Sequence, residues 1–225
     1  MRVRAFMAGM ATVAVLAGCG GLEAAQSPGG EGKAAKPDSA AISDARKKLE
    51  KLAVKGRAPR TGFDRDKFGP AWADVDRNGC DTRNDILKRD LEDETFRSGT
   101  HDCIVLTGTL HDPYSGKTIT FKRGQDTSTA VQIDHVIPLS DAWQKGAQQW
   151  SATKRKEFAN DPLNLMAVDG PLNGQKSDSD AATWLPPRKS YRCTYIAKQV
   201  DVKAKYELWV TSAEKDAMKG ILENC

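Results

Sequence analysis

The stretch Gln132-Ile133-Asp134-His135-Val136-Ile137-Pro138-Leu139, followed by Asn160-Asp161-Pro162-Leu163-Asn164-Leu165-Met166-Ala167-Val168 and Asn173-Gly174-Gln175-Lys176-Ser177-Asp178, decides how this chain folds. The first piece reads as a short apolar strand carrying one Asp-His pair, with Pro138 ending regular strand structure nearby. The second is an apolar strand holding Asn164, and the third opens a polar helix expected to run from Asn173 toward Trp184. Alternation along a strand sends Asp134 and His135 to opposite faces. A turn beginning just after Ile133 would let both reach one pocket.

Working outward, residues 103–110 and 118–121 are β-rich and flank the turn segment His111-Asp112-Pro113-Tyr114-Ser115-Gly116-Lys117, so a hairpin is expected. Residues 82–91 look helical, with Ile86 and Leu87 inward, and residues 63–81 are polar and turn-rich. Residues 42–54 place Ile42, Ala45, Leu49, Leu52 and Ala53 on one helical face, with Ser43 as the cap. Residues 141–159 read as one or two helices with Trp143 and Trp150 inward, and residues 191–206 and 212–224 as two more. The fold class is therefore α+β: a small ββα unit wrapped by helices, with an additional β-hairpin.

The N-terminus carries a basic start (Met1-Arg2-Val3-Arg4), an apolar run over 5–17 and then Leu16-Ala17-Gly18-Cys19. That run suits a secretory signal and is too short for a stable span. It resembles the lipobox of bacterial lipoproteins, which implies a signal peptide at 1–18 and a lipid on Cys19. The lipid would anchor the chain to the outer face of a membrane. Residues 19–41 read as a flexible tether, and 42–225 as the folded domain with its core at about 131–187. Cys80, Cys103, Cys193 and Cys225 then remain, an even number in an exported chain. Cys80–Cys103 and Cys193–Cys225 are favoured because each closes a shorter loop, and no Cys-x-x-Cys pair supports zinc. A hydrophobic content of 39% suits a folded core, and the net charge of +4 permits a phosphate-rich partner without demanding one. A monomer is expected.

A histidine beside a carboxylate, with two amides on neighbouring elements, suits a base that activates water next to a hard, oxygen-bound cation. On these residues, 131–187 resembles the HNH nucleases, and particularly the group related to the C-terminal nuclease part of the GmrSD restriction enzymes. The exported bacterial members of that group share a stretch like Asn78-Gly79-Cys80-Asp81-Thr82-Arg83-Asn84-Asp85, extending the resemblance to roughly 62–225. The resemblance implies a ββα-metal core with His135 as general base, Asn164 as the central structural Asn, and Asp134 and Asn173 as ligands to Mg²⁺ (or Mn²⁺). The closing position is Asn173 rather than the histidine of the literal His-Asn-His spelling. Lys176 falls where a phosphate-facing cation is often seen, and the resemblance implies 5′-phosphate products. The expected activity is endonucleolytic hydrolysis of DNA, with RNA as a second substrate and low sequence specificity.

Other features compete for function. Asp74, Asp76, Asn78 and Asp85 fit the front of a Ca²⁺ loop, which would make the chain a non-enzymatic calcium-binding surface lipoprotein. Arg83 could instead border the nuclease pocket and grip phosphate. His101 and His111 read as turn histidines, and the five tryptophans as core.

Overall fold

A computed structural model of the chain describes residues 38–225. The expected signal peptide, Cys19 and the tether up to residue 37 lie outside the described residues. Helix α1 (Ser39–Lys51) starts earlier than its apolar stripe suggests, because Asp38, not Ser43, caps it by accepting from the Ala40 N–H. It buries Ile42, Ala45 and Leu49, as the 3.6-residue period requires.

Helix α2 (Thr82–Asp90) is capped by Asp81 and buries Ile86 and Leu87. It runs directly into β1 (Leu91–Phe96), a strand the sequence reading does not contain. Leu91-Glu92-Asp93-Glu94-Thr95-Phe96 is acidic and poor in strand formers, and only Leu91 is buried. Pairing with β2 (Val105–His111), from Leu91↔Leu110 to Phe96↔Val105, makes it a strand. A side chain at Gly108 would meet Leu91 at 2.9 Å, so glycine lets β1 lie against β2. The expected hairpin is present as β2 and β3 (Thr118–Lys122), giving the order β1-β2-β3.

A separate two-stranded antiparallel sheet holds β4 (Val131–His135) and β5 (Leu165–Asp169), in register from Val131↔Asp169 to His135↔Leu165. No turn follows Ile133; β4 continues through His135, and Asn164 sits just before β5 rather than within it. Between them come α3 (Leu139–Gln144) and α4 (Ala152–Ala159). Helix α5 (Gly170–Lys176) leaves β5 at once, capped by Asp169, and stops at Ser177 (φ 49°) instead of reaching Trp184. A Cβ at Gly170 would lie 2.0 Å from the Thr129 carbonyl oxygen, so only glycine permits this abrupt strand-to-helix junction. Helices α6 (Arg192–Tyr206) and α7 (Ser212–Glu223) close the chain, α7 with a Thr211/Glu214 capping box.

The apolar interior has three parts. One joins α1, α6 and α7 through Leu49, Ile196, Val200 and Met218. A second lies under α3 and α4 around Trp143, Phe158 and Tyr206. The third joins the two sheets through Leu87, Val105, Phe121, Ile133 and Leu165. Disulfides join Cys80 to Cys103 and Cys193 to Cys225, tying the loop before α2 to that before β2, and the chain end to α6. Among the described residues, no helix is long and apolar enough to cross a membrane.

Between α3, α6 and α7 lies an ionic network. Lys145 contacts Asp141 (2.7 Å), Asp180 (2.9 Å) and Glu214 (2.8 Å), and Lys203 meets Glu214 at 2.9 Å. Arg57 completes it through Asp141 (3.0 Å) and Asp180 (2.6 Å). Three cations face three carboxylates, and five of these six side chains are almost wholly buried.

Candidate active site

Asp134 and His135 occupy the last two positions of β4 and leave on opposite faces, yet both line one cavity because the strand ends there. Asp134 is 4% exposed. Its Oδ2 accepts from the Tyr114 hydroxyl at 2.6 Å and its Oδ1 from Lys176 Nζ at 2.8 Å. Lys176 Nζ also donates to the His135 carbonyl at 2.8 Å. Lys176 is fully buried, which corrects its expected phosphate-facing role: from α5 it points inward, to the backbone of the Asp-His pair.

Tyr114 is a site residue the sequence reading missed. Its hairpin turn does not run over the surface; Tyr114 is 0% exposed and sits edge-on to Trp184 (5.1 Å) and Tyr195 (5.7 Å). Asp112 holds the turn in place, accepting from Ser115 N–H and Oγ through Oδ2 and from the Asp169 N–H through Oδ1. Burial, and then the neighbouring Asp134 charge, push the Tyr114 hydroxyl well above its usual range, so it stays a neutral donor. The available signal was an aromatic residue inside an otherwise polar turn.

His135 is half-buried, with Nε2 2.8 Å from the Ala159 carbonyl and its ring stacked on Trp72 (centroids 6.1 Å, 17°). A carbonyl oxygen only accepts, so the proton belongs on Nε2 and Nδ1 carries the lone pair. Nδ1 makes no hydrogen bond among the described residues. Burial above all, together with the charges of Arg65 and Lys176 and against the Ala159 hydrogen bond, lowers the ring's pKa to about 4. Asn164, the expected central structural Asn, makes no hydrogen bond to the His135 ring. It clamps the segment after the histidine, accepting from the Ile137 N–H (2.8 Å) and donating to the Ile137 carbonyl (3.3 Å).

Asn173 lies within α5, where its Nδ2 donates to Gln132 Oε1 at 2.9 Å, leaving its amide oxygen without a hydrogen bond among the described residues. The cavity, about 400 Å³, is lined by Asp134, His135, Ser140, Asn173 and Asp178, with Arg60 and Arg65 at its edge. Arg60 pairs loosely with Asp178 (3.5 Å), whereas Arg65 is exposed and has no ion pair among the described residues. A second cavity, about 200 Å³, shares Arg65, His135 and Leu139 and is walled by Phe68, Pro70 and Trp72.

No group of three or more His, Cys, Asp or Glu side chains is arranged to hold a metal among the described residues. The cavity's donors are instead two carboxylates, an amide oxygen and serine hydroxyls. Such a set of hard oxygens suits a cation that keeps much of its water, as Mg²⁺ does, so the residues fit the implied metal. Arg83 does not line the cavity; it lies over the Phe121 ring (5.8 Å), which corrects its expected phosphate role. In the candidate Ca²⁺ loop, Asn78 donates to Asp76 and Asp85, and Asp74 accepts from the Gly79 N–H, so the loop is braced by its own hydrogen bonds. Trp72, expected in the core, is only half-buried.

Fold and site together define a mixed helix-and-sheet domain whose histidine-centred cleft is edged by arginines. Residues 81–221 match the family described as GmrSD restriction endonucleases, C-terminal domain, and the chain belongs to that family. A protein of Arthroderma benhamiae described as an uncharacterized secreted protein is 39% identical over 191 residues, covering 84% of this chain and 88% of the relative. No solved structure matches. Arg60, Arg65 and Trp72 all precede the family-matched region.

Proposed function

We propose that the protein is an exported, metal-dependent endonuclease with a ββα-metal (HNH) site, hydrolysing phosphodiester bonds of DNA and, as a second substrate, RNA. The observation that carries this reading is His135, fixed through Nε2 on Ala159 with its free nitrogen on a ring that lines the polar cavity. His135 would take a proton from water at Nδ1 as the water attacks phosphorus. Asp134 and Asn173 would hold Mg²⁺ (or Mn²⁺), and the ion, when bound, supplies charge neutralisation on the phosphate and the departing oxygen. Lys176 and Tyr114 hold Asp134 in orientation, and Asn164 fixes the backbone that carries His135. Family membership supports the nuclease reading. The secreted relative and the basic-apolar-lipobox N-terminus support export, with anchoring through a lipid on Cys19.

The test is His135→Ala with plasmid DNA and RNA as substrates, with and without Mg²⁺. The variant is expected to fold, by circular dichroism, and to lose at least about a hundredfold in cleavage rate, the size of a general-base contribution. Undiminished cleavage would overturn the assignment.

A further inference from the structure

Two cavities meet at His135. The polar one contains Asp134 and Asn173; the other, walled by Phe68, Pro70 and Trp72, is less polar and is lined by the same ring. Arg65 and Leu139 are the other residues common to both. We infer that this second cavity is a nucleobase subsite: Arg65 grips the phosphate under attack, and the base of the adjoining, unpaired nucleotide enters the cavity and lies against Trp72. The inference rests on the nuclease reading of His135 and extends it to the substrate class, single-stranded nucleic acid.

Three observations carry it. Arg65 is exposed, has no ion pair among the described residues, and lines both cavities, so it can reach a phosphate joining two nucleotides. An arginine fork suits two phosphate oxygens at once. Trp72 packs partly against the core that joins the two sheets and lies near-parallel to the His135 ring at 17°, and its half-buried indole forms part of the cavity wall. An aromatic wall accepts any base through its π-face, which fits a site without base-edge readout. The cavity itself is concave and holds about 200 Å³, so a base must leave a duplex stack to enter it.

A base inside a duplex cannot reach such a recess without unpairing, so a single strand is expected to be cut at least about tenfold faster than its duplex, judged by kcat/KM. Binding separates the subsite from the chemistry. In His135→Ala protein, fluorescence anisotropy would compare a labelled single-stranded oligonucleotide with the same strand bearing abasic residues. Trp72 should favour the base-bearing strand by about tenfold, the scale of one base–aromatic stack. Trp72→Ala should collapse that ratio toward one, and Trp72→Phe should keep most of it. Arg65→Gln should weaken both strands alike and flatten the salt dependence of binding by about one phosphate contact. An unchanged ratio in Trp72→Ala, or equal cutting of duplex and single strand, would overturn the subsite. Undiminished cleavage by His135→Ala would instead overturn the nuclease reading, leaving the binding comparison to judge the subsite alone.

Discussion

Two sets of buried charges in this molecule look alike in chemistry and differ in what surrounds them. Around Lys145, three cations and three carboxylates neutralise one another between α3, α6 and α7. Around Asp134, a single carboxylate is held by one lysine and one tyrosine, and it lines an open cavity beside Asn173 and His135. The first set is closed: each member is matched inside the protein, as buried charge requires. The second opens onto solvent, so an external cation can approach the carboxylate that Lys176 already neutralises. Buried charge alone therefore does not mark a functional site. Access does.

The largest expected effect comes from breaking the closed set. Lys145→Met leaves three buried carboxylates with only Arg57 and Lys203 to balance them, and is expected to destabilise by about 3–5 kcal/mol, read by chemical denaturation. Magnesium should not restore that loss. Lys176→Met should be milder, about 2 kcal/mol, because the Tyr114 hydroxyl still serves Asp134. In this variant millimolar Mg²⁺ should raise the melting temperature, since a cation binding only the folded state stabilises it. Equal responses to Mg²⁺ in the two variants would erase the distinction between closed and open sets.

Tyr114→Phe keeps the ring edge-on to Trp184 and Tyr195 and removes one hydrogen bond to a carboxylate. About 1–2 kcal/mol of stability should be lost, together with a measurable fall in cleavage rate, as Asp134 gains freedom. The smallest expected effect is the response to mild acid. An ordinary histidine, with a pKa near 6.5, loses most of its neutral form by pH 5.5, but His135 is held down at about 4 by burial. Its capacity as a base is present above that value and lost only as the pH falls through it, so the acid limb of kcat/KM should lie near 4. For stability the sign is the same. The unfolded histidine takes up a proton below about 6.5 while the folded one does not, so stability falls as the pH drops from 6.5 toward 4.

Much of the site was legible because its chemistry lies in local patterns. Asp134 and His135 on one strand and Asn173 on the helix after the second strand occupy the elements expected of them, while Asn164 falls one residue short of its strand. The hairpin, α6, α7 and the two disulfides are likewise near where periodicity and loop length put them. What escaped depends on distant partners. Lys145 and Lys203 carry no local mark of burial, since Lys145 meets Asp180 and Glu214, and Lys203 meets Asp141, all far along the chain. The acidic Leu91–Phe96 strand exists because β2 offers it an edge.

By itself, then, the sequence determined the α+β alternation and the succession of two short strands and a helix that carries Asp134, His135 and Asn173, because strand and helix periods and residue chemistry are local. Only the tertiary structure decided that Lys176 faces inward rather than toward phosphate. It also decided that the Tyr114 turn enters the core, and that residues 60–72 wall the cleft with Arg60, Arg65 and Trp72. These outcomes follow from burial and charge pairing between segments remote in sequence, and no local pattern encodes which distant partner a side chain will meet.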